Sequence, residues 1–573
     1  MSGAKVCNGG LRRSGFAAAV SVMACGWAWG GSAVWCVGES TKIKPGDAPQ
    51  ERNLTWNGQN TTVTLGSARN EYVAFQIGVR AVDSELKDVT VEAADLKGPM
   101  NAVIPKDNVD LFVEHYLNVK VTSRGDPTHV YPGCTGGEHP TQMVPFQAKK
   151  FGAPFAVGAG RNHPVWVDIY VPEDAKPGVY EGVFKVKAGD SALAAIKVSL
   201  DVWNFGLPHE THFRTYLYTG PENLHWGHRW TCNWDDPSVL PVWDAYFQMA
   251  HQHRLNFHPM GGNGIYENLN LFYKYYDGSG FTRRVGKGVG QNVACISPEG
   301  NNEEAFKKSA REIVEQWERK KPNAVLFAYI WDEPHSDGDF AESKKRCKWV
   351  HAAVGGKLNT FIATPNYSRY DAGDVNIFSE PAAEDIPKIV ARGEMIWAVN
   401  GGYGAGPYVD SPGYGGRSIV WMNWKMNLGG WQFWDCCYWV DKQALRKAGF
   451  TQAKANAQPD KWLTDLWNNP MTFDETRKPG YPEKWAIRIN GDGVLFYPGY
   501  EVGINGPIAG YAMKSLRRGA QDYEYLWMLK QQGREADTKA IVDSVCPANG
   551  KWNEDPESWD KARLELAKLL NKK

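Results

Sequence analysis

Asp332 and Glu333 stand side by side in Tyr329-Ile330-Trp331-Asp332-Glu333-Pro334-His335, at the end of an apolar run that begins at Ala324. Consecutive Cα atoms lie about 3.8 Å apart. A conventional glycosidase flanks the scissile bond with two carboxyl groups, about 5–5.5 Å apart for retention and about 6.5–9.5 Å for inversion. Neighbouring positions in a chain can hardly take opposite faces of one sugar ring. They suit a different division of labour, in which one carboxyl moves the proton and the other holds a substrate group that acts as nucleophile. The 2-acetamido group of an N-acetylhexosamine plays that part in substrate-assisted hydrolysis. Glu333 is then the general acid and afterwards the base that activates water. Asp332 accepts a hydrogen bond from the acetamide N–H and stabilises the cationic cyclic intermediate. The structural alternative is a pair that caps a strand and meets a nearby Arg or Lys.

The run from Ala324 to Trp331 is rich in β-branched and aromatic residues and Pro334 stops it, the pattern of a buried strand in a parallel sheet. The two carboxylates would emerge at its C-terminal end, where catalytic residues stand in barrels of alternating strands and helices. Burying adjacent carboxylates is costly, because each disfavours ionisation of the other, and a site gives a reason for it. The same alternation runs on from Phe205-Gly206-Leu207-Pro208. Strands are expected at Phe213–Tyr218, Asn256–Met260, Ala324–Trp331, Thr360–Pro365, Val375–Ser379, Met395–Val399 and Gly430–Asp435, with helices between them such as Glu303–Lys320 and Arg417–Leu428. About eight such units favour a (β/α)8 barrel over an open sheet. No GxGxxG follows a strand as a dinucleotide fold requires, and Gly401–Gly406 reads as a flexible loop. The tail adds a strand at Val494–Tyr497, a helix near Ala512–Gln531 and a last helix opening at Asp555-Pro556.

Before the barrel, from about Thr41 to Asn204, the pattern is all β. Val165, Val167, Ile169 and Val171 alternate with Trp166, Asp168 and Tyr170, a strand with one buried face. Lys176-Pro177-Gly178 marks a turn before Tyr180, Gly182, Phe184 and Val186 alternate again. The Gly/Pro-rich stretch from Thr122 to Arg161 reads as a long loop or decorated hairpin that packs on the next domain. The fold class is therefore a multidomain β plus α/β chain. A β-sandwich (residues 37–207) precedes a (β/α)8 TIM-like barrel (208–490), and a C-terminal extension (491–573) packs on the barrel.

At 573 residues the chain exceeds one compact core. Lys+Arg and Asp+Glu are both 64, so there is no basic excess to hold nucleic acid or an anionic membrane. The 25 Trp and 25 Tyr suit a sugar-binding cleft, because flat rings stack on the C–H face of a pyranose, although large rings also fill cores. The first 36 residues read as a targeting segment. Arg12-Arg13 precede an apolar stretch, Phe16–Ala24, too short to span a bilayer. Val22-Met23-Ala24-Cys25 forms a loose lipobox, and Gly31-Ser32-Ala33 offers a simple cleavage site instead. The paired arginines hint weakly at twin-arginine export, with Phe16 displaced from its usual position. An exported protein is expected, whether periplasmic, secreted or a surface lipoprotein, with membrane contact only through an N-terminal lipid anchor. Ten cysteines include no CxxC pair of the zinc-site kind. A chain this long does not need disulfides to fold, and Cys436-Cys437 reads as two buried thiols. Ser-His-Asp and HExxH arrangements are absent at recognisable spacing, which argues against peptidase or esterase chemistry.

Candidate substrate contacts lie at expected strand ends. Trp434 follows the last strand and serves either as a stacking platform or as barrel packing. Asn256 and His258 accompany the second strand and could bind hydroxyls, and Tyr403 could donate to the acetamide oxygen. Arg417, Trp424 and Lys425 share a helical stretch; Arg417 either reaches sugar hydroxyls or makes a structural ion pair, and Trp424 is a further contact candidate. Asp522 and Glu524 would tie the C-terminal helix to the barrel through Arg517 or Arg518. Two rival functions remain open. One is a glycosidase of another specificity that uses a distant second carboxylate such as Glu380 or Asp435, and the other is a non-catalytic carbohydrate-binding protein.

Four stretches carry a resemblance: Ala68-Arg69-Asn70-Glu71-Tyr72, Pro177-Gly178-Val179-Tyr180-Glu181-Gly182, Trp331-Asp332-Glu333-Pro334 and Arg518-Gly519-Ala520-Gln521-Asp522-Tyr523-Glu524-Tyr525. Together they span nearly the whole chain after the targeting segment. The sequence resembles glycoside hydrolase family 123, the exo-β-N-acetylgalactosaminidases, and the broader set of proteins that share its catalytic and C-terminal regions. The resemblance implies an N-terminal β-sandwich, a (β/α)8 barrel, no metal or cofactor, and retention through the acetamido group. It places Asp332 and Glu333 on the family's catalytic Asp-Glu. The implied partner is a glycan or glycoconjugate ending in an N-acetylhexosamine, with galactosamine preferred.

Overall fold

The computed structural model describes residues 28–29, 31–125, 133–230, 239–259, 272–320, 322–364, 373–378, 385–449, 451–477 and 486–571. Most of the expected targeting segment, Cys7, Cys25, Cys232 and Glu380 lie outside the described residues. The remaining seven cysteines are unpaired thiols, and Cys436 and Cys437 are both buried.

Two sheets form the N-terminal sandwich. One is antiparallel, with Ser32–Gly38, Glu71–Ala81, Asn162–Val171, Val109–Val119 and Gly137–Pro145 side by side. In the other, Leu86–Glu92, Gly178–Ala188, Ser191–Gly206 and Thr62–Arg69 lie side by side. Phe75, Ile77, Val165, Val167 and Ile169 from the first face Phe184, Val186, Ile196 and Val198 from the second. Two expectations need correction. Ser32–Gly38 belongs to the first sheet and Trp35 and Cys36 are buried in the core, so the sandwich reaches into the segment assigned to targeting. Processing at Gly31-Ser32-Ala33 would cut at the edge of that strand. Asn162–Val171 also has two buried faces, not one, because Trp166, Asp168 and Tyr170 are covered as well. Trp166 meets Tyr511 of the C-terminal helix, with ring centroids 5.3 Å apart.

The second domain is built on eight parallel strands: β1 (Thr215–Thr219), β2 (Phe257–Pro259), β3 (Val293–Cys295), β4 (Val325–Asp332), β5 (Asn359–Ala363), β6 (Val375–Phe378), β7 (Met395–Val399) and β8 (Gly430–Phe433). Their order is β2-β1-β8-β7-β6-β5-β4-β3, the cyclic order of a barrel opened between β2 and β3. A flat sheet would hold β1 and β4 about 24 Å apart, five spacings of about 4.8 Å. The rings of Tyr216 on β1 and Phe327 on β4 lie 5.5 Å apart, so the sheet curls on itself. Val293, Cys295, Phe361, Val375 and Trp397 complete the apolar interior. The β2–β3 seam is joined by side chains at its N-terminal end. Asn256 Nδ2 donates to Asn292 Oδ1 at 2.7 Å, and Phe257 N donates to Gln291 Oε1 at 2.7 Å. No strand pairing links β2 to β3, and no helix separates β5 from β6, among the described residues.

The helices on the outside are α1 (Leu240–Gln252), α2 (Glu303–Lys320), α3 (Asp337–Val354), α4 (Ile386–Ala391) and α5 (Gly415–Lys425), followed by α6 (Tyr511–Gln531), α7 (Glu535–Val545) and α8 (Pro556–Asn571). In α2 the apolar stripe Phe306, Ala310, Ile313, Val314 and Trp317 packs on Leu326, Ala328 and Ile330 of β4. The helix starts with Glu303 and Glu304 and ends with Arg319 and Lys320, which complements its dipole. Helix α6 is buried along most of its length between the sandwich and the second domain. Gly519 lets α6 approach α5 closely, since a Cβ there would lie 2.7 Å from Val420 Cγ2.

Candidate active site

A bulge aims the acidic pair. Along β4, Tyr329 pairs with Phe361 and Trp331 with Ile362, so one residue more is used on β4 than on β5. Ile330 and Trp331 consequently both lie on the outer face, in the cluster with α2 and α3, and the guanidinium of Arg346 sits 5.6 Å from the Trp331 ring. Strict alternation would have sent Asp332 outward. After the bulge it returns to the side of Tyr329, whose hydroxyl donates to Asp332 Oδ1 at 2.8 Å.

Glu333 follows with a left-handed backbone, φ +46°, which frees its side chain from the two-sided strand pattern. Its N–H donates to Ala363 O at the end of β5, at 3.0 Å. The next turn is fixed by a capping box: Asp339 N donates to Ser336 Oγ at 3.1 Å, and Ser336 N donates to Asp339 Oδ2 at 2.9 Å. Bulge, buried Pro334 and helix cap thus hold the corner on which the pair stands. The expectation of burial is corrected: Asp332 is exposed and the Glu333 side chain is 67% exposed. His335 Nε2 lies 3.8 Å from Glu333 Oε2, and its side chain is exposed too. Neither carboxylate has an Arg or Lys partner among the described residues, so the strand-cap alternative lacks its cation.

Other groups gather at the C-terminal ends of the strands. Burial holds the Tyr218 phenol well above its ordinary value, and the carboxylates of Asp435, Glu222 and Asp332 reinforce the effect. Gln432 hydrogen-bonds Tyr329. Trp434, directly after β8, is half-buried between Tyr438 and Phe473, and its indole N–H donates to Asp492. Burial pushes the Asp492 carboxyl up to about 6. It pushes Asp435 up to about 7; that carboxyl is fully enclosed and accepts from Asn223 Nδ2 at 3.0 Å and Cys437 N at 2.9 Å. A carboxyl so enclosed does not offer the distant second carboxylate of the rival reading. Tyr218, Tyr329, Gln432 and Asp492 were not among the sequence candidates. Tyr218 and Tyr329 stand at or near strand ends and could have been proposed, whereas Asp492, between two left-handed glycines, carries no strand signal.

The remaining candidates lie elsewhere. Asn256 sits at the N-terminal end of β2, where it bonds Asn292 just before β3, so it is no substrate contact. His258 is buried inside the curled sheet against Tyr216, 5.0 Å away, and burial lowers it to about 3, which leaves it neutral. Arg417 is fully buried, donates to Asp522 Oδ2 at 2.6 Å and to Ser40 and Trp559, and pairs with Asp560 at 2.5 Å; it is structural. Trp424 ends α5 next to the start of β8, at the opposite end of the sheet from Asp332. Tyr403 packs against the core cluster of the C-terminal helices, beside Gly550. Asp522 and Glu524 do tie α6 down, but through Arg417 and His212 and not through Arg517 or Arg518.

An exposed acidic pair at the C-terminal end of a curled parallel sheet, with tyrosines beside it, is an arrangement that suits a glycoside hydrolase. The comparisons make the chain similar to glycoside hydrolase family 123, in sequence over part of its N-terminal half and in fold over nearly all of its length. Residues 49–188 match the family described as the glycoside hydrolase 123 N-terminal domain. The fold of the whole chain is that of a family 123 glycoside hydrolase from Clostridium perfringens, studied for glycolipid glycan hydrolysis. The two share 13% identity at a TM-score of 0.66, over 95% of this chain and 98% of that one. A family 5 xyloglucanase from Bacteroides ovatus, bound to a heptasaccharide, is 8% identical over 81% of this chain and 98% of its own; its TM-score of 0.24 is too low to bear on the fold. No curated protein matches the sequence.

Proposed function

We propose that the protein is an exported, exo-acting β-N-acetylhexosaminidase that prefers β-linked N-acetylgalactosamine and retains configuration through the substrate's own acetamido group. Glu333 protonates the leaving oxygen and then activates water. Asp332 accepts the acetamide N–H and turns the carbonyl oxygen towards the anomeric carbon, forming an oxazolinium-type intermediate that water opens. The observation that carries this reading is the bulge in β4, which brings Asp332 to the Tyr329 side while Glu333 stays exposed at the same corner. The curled sheet acts as a (β/α)8 barrel in presenting this corner at its C-terminal face. Trp434, half-buried beside Asp492, offers the stacking platform for the sugar. The substrate class is a glycan or glycoconjugate with a terminal N-acetylhexosamine.

A panel of aryl β-glycosides tests this directly. Turnover is expected on the β-N-acetylgalactosaminide, more slowly on the β-N-acetylglucosaminide, and not on plain galactoside or glucoside. A sugar thiazoline, which imitates the cyclised intermediate, should inhibit strongly. Equal turnover of galactoside and N-acetylgalactosaminide, or indifference to the thiazoline, would overturn the assignment.

A further inference from the structure

At the end of the barrel sheet remote from Asp332, a cavity of about 610 Å³ opens between the C-terminal end of α5 and helices α6 and α7. Its size is that of an ordinary small-ligand cleft, roughly 300–1,000 Å³. Trp424 and Trp527 line it, together with Asn423 and Lys425. Nothing in the catalytic reading uses it. We propose that it is a second carbohydrate-binding site, for a pyranose ring of a glycan.

Two observations point to that ligand. The first is a rigid aromatic wall. The Trp527 indole is stacked on the His212 imidazole, with centroids 3.5 Å apart and planes at 13°. His212 is in turn held by the buried Glu524 carboxylate, through its Nδ1 and its backbone N–H, each at 2.7 Å. No ring or cation covers the other face of Trp527 among the described residues. Tyr523 meets Trp424 edge-on at 5.1 Å. The second is an unmatched acceptor. Asn423 is 1% exposed and its Nδ2 donates to Gly430 O at 2.9 Å, but its Oδ1 has no protein partner among the described residues. A buried acceptor wants a donor, and a sugar hydroxyl supplies one. Charge does not choose the ligand. Lys425 and Lys539 share the one carboxylate of Asp543, at 2.6 and 2.5 Å, and Lys530 pairs with Glu535 at 2.9 Å and lies 5.6 Å from the Trp424 ring, so three lysines face two carboxylates. An apolar face plus an unmatched hydrogen-bond acceptor fits the C–H face and hydroxyls of a pyranose ring.

Lactose, which lacks the acetamido group, is the probe. It is titrated into the full-length Glu333→Gln protein and followed by ligand-observed NMR and hydrogen exchange. Saturable binding is expected, with protection gained in α6 and α7. Trp527→Ala should weaken it about tenfold or more, whereas Trp434→Ala should leave it unchanged. Should Trp527→Ala misfold, Trp527→Phe, which keeps a ring over His212, is expected to weaken binding less, and the protection map of the parent protein needs no variant at all. No saturable binding, or binding that follows Trp434 and protects only the Asp332 end, would overturn the proposal. Lactose binding is read without turnover, so it stands or falls separately from the hydrolytic assignment.

Discussion

Arg518 Nη1 donates to Glu71 Oε1 at 2.8 Å, joining the C-terminal helix α6 to the sandwich across 447 positions of chain. Both side chains are buried. Glu71 also accepts from Arg563 Nη2 at 3.0 Å and from the Tyr525 hydroxyl at 2.7 Å, and its second oxygen takes the Ala68 N–H at 2.8 Å. Next to it, Asp168 of the sandwich binds both Lys514 and Arg517 of α6. Two of the stretches on which the family resemblance rests, Ala68–Tyr72 and Arg518–Tyr525, are therefore two halves of one interdomain clamp. Buried charges persist only when paired and hydrogen-bonded, and here each carboxylate has more than one cation.

Removing one partner leaves the others buried and unmatched. Glu71→Ala is expected to cost about 3–5 kcal/mol, measured by denaturant unfolding followed by tryptophan fluorescence. A loss under about 1 kcal/mol would mean that the clamp does not hold the domains together.

The pH dependence of stability has two opposed components. Burial pushes the Glu71 carboxyl up, but Arg563 and Arg518 outweigh it and the net value is lowered. Burial likewise opposes Arg517 and Lys514 at Asp168, and the cations win there too. Lowered carboxyls stabilise the fold above their unfolded values near 4, and that contribution is lost as pH falls through the folded ones. Glu114 behaves the other way. It is fully buried, neither of its oxygens has a hydrogen-bond partner among the described residues, and burial pushes it up to about 8 despite the nearby Lys42. Between about pH 4.3 and 8 its unfolded carboxyl ionises while the folded one stays protonated, which removes roughly 1.4 kcal/mol per pH unit. Glu114→Gln abolishes that titration. Its melting temperature should gain on the parent protein steadily from pH 5 to pH 8, and a constant offset across that range would refute the role given to Glu114.

Much of this fold was legible in residue patterns, and the misses share a cause. Glu303–Lys320 and Met395–Val399 have the expected bounds because periodicity and length both speak for them. Val293–Cys295 was missed because three residues show no period. The bulge at Ile330-Trp331 is invisible in sequence, since two outward apolar neighbours look like any buried strand. Trp424 and Asn256 were placed near the pair through neglect of direction. A helix between parallel strands runs back along the sheet, so the C-terminal end of α5 must lie far from the C-terminal end of β4. Arg417 was ambiguous because its partners Asp522 and Asp560 are more than a hundred residues away. Contacts of that kind have no local signature.

Tyr329 acts through Asp332 as a positioning residue. Tyr329→Phe deletes the hydroxyl that donates to Asp332 Oδ1 and keeps the ring, which packs against Phe361 at 4.8 Å. About a tenfold fall in kcat/KM on aryl N-acetylgalactosaminides is expected, with little change in melting temperature. In an Asp332→Asn background the same substitution should cost nothing further, because the two act as one unit. Additive losses would show that Tyr329 serves something other than Asp332.

Glu333 and Asp332 should part company when the leaving group changes. A natural glycoside needs a proton on its departing oxygen, and Glu333→Gln cannot supply it, so kcat should drop by about 10²–10⁴. An activated phenol leaves without that proton, and the same variant should lose far less on it. Asp332→Asn should impair both substrates, because ring closure by the acetamide precedes departure of either. Kinetics of the two variants on a β-linked oligosaccharide and on an aryl glycoside decide the matter: equal losses for Glu333→Gln on both substrates contradict its role as acid, and a near-normal rate for Asp332→Asn removes the acetamide from the mechanism.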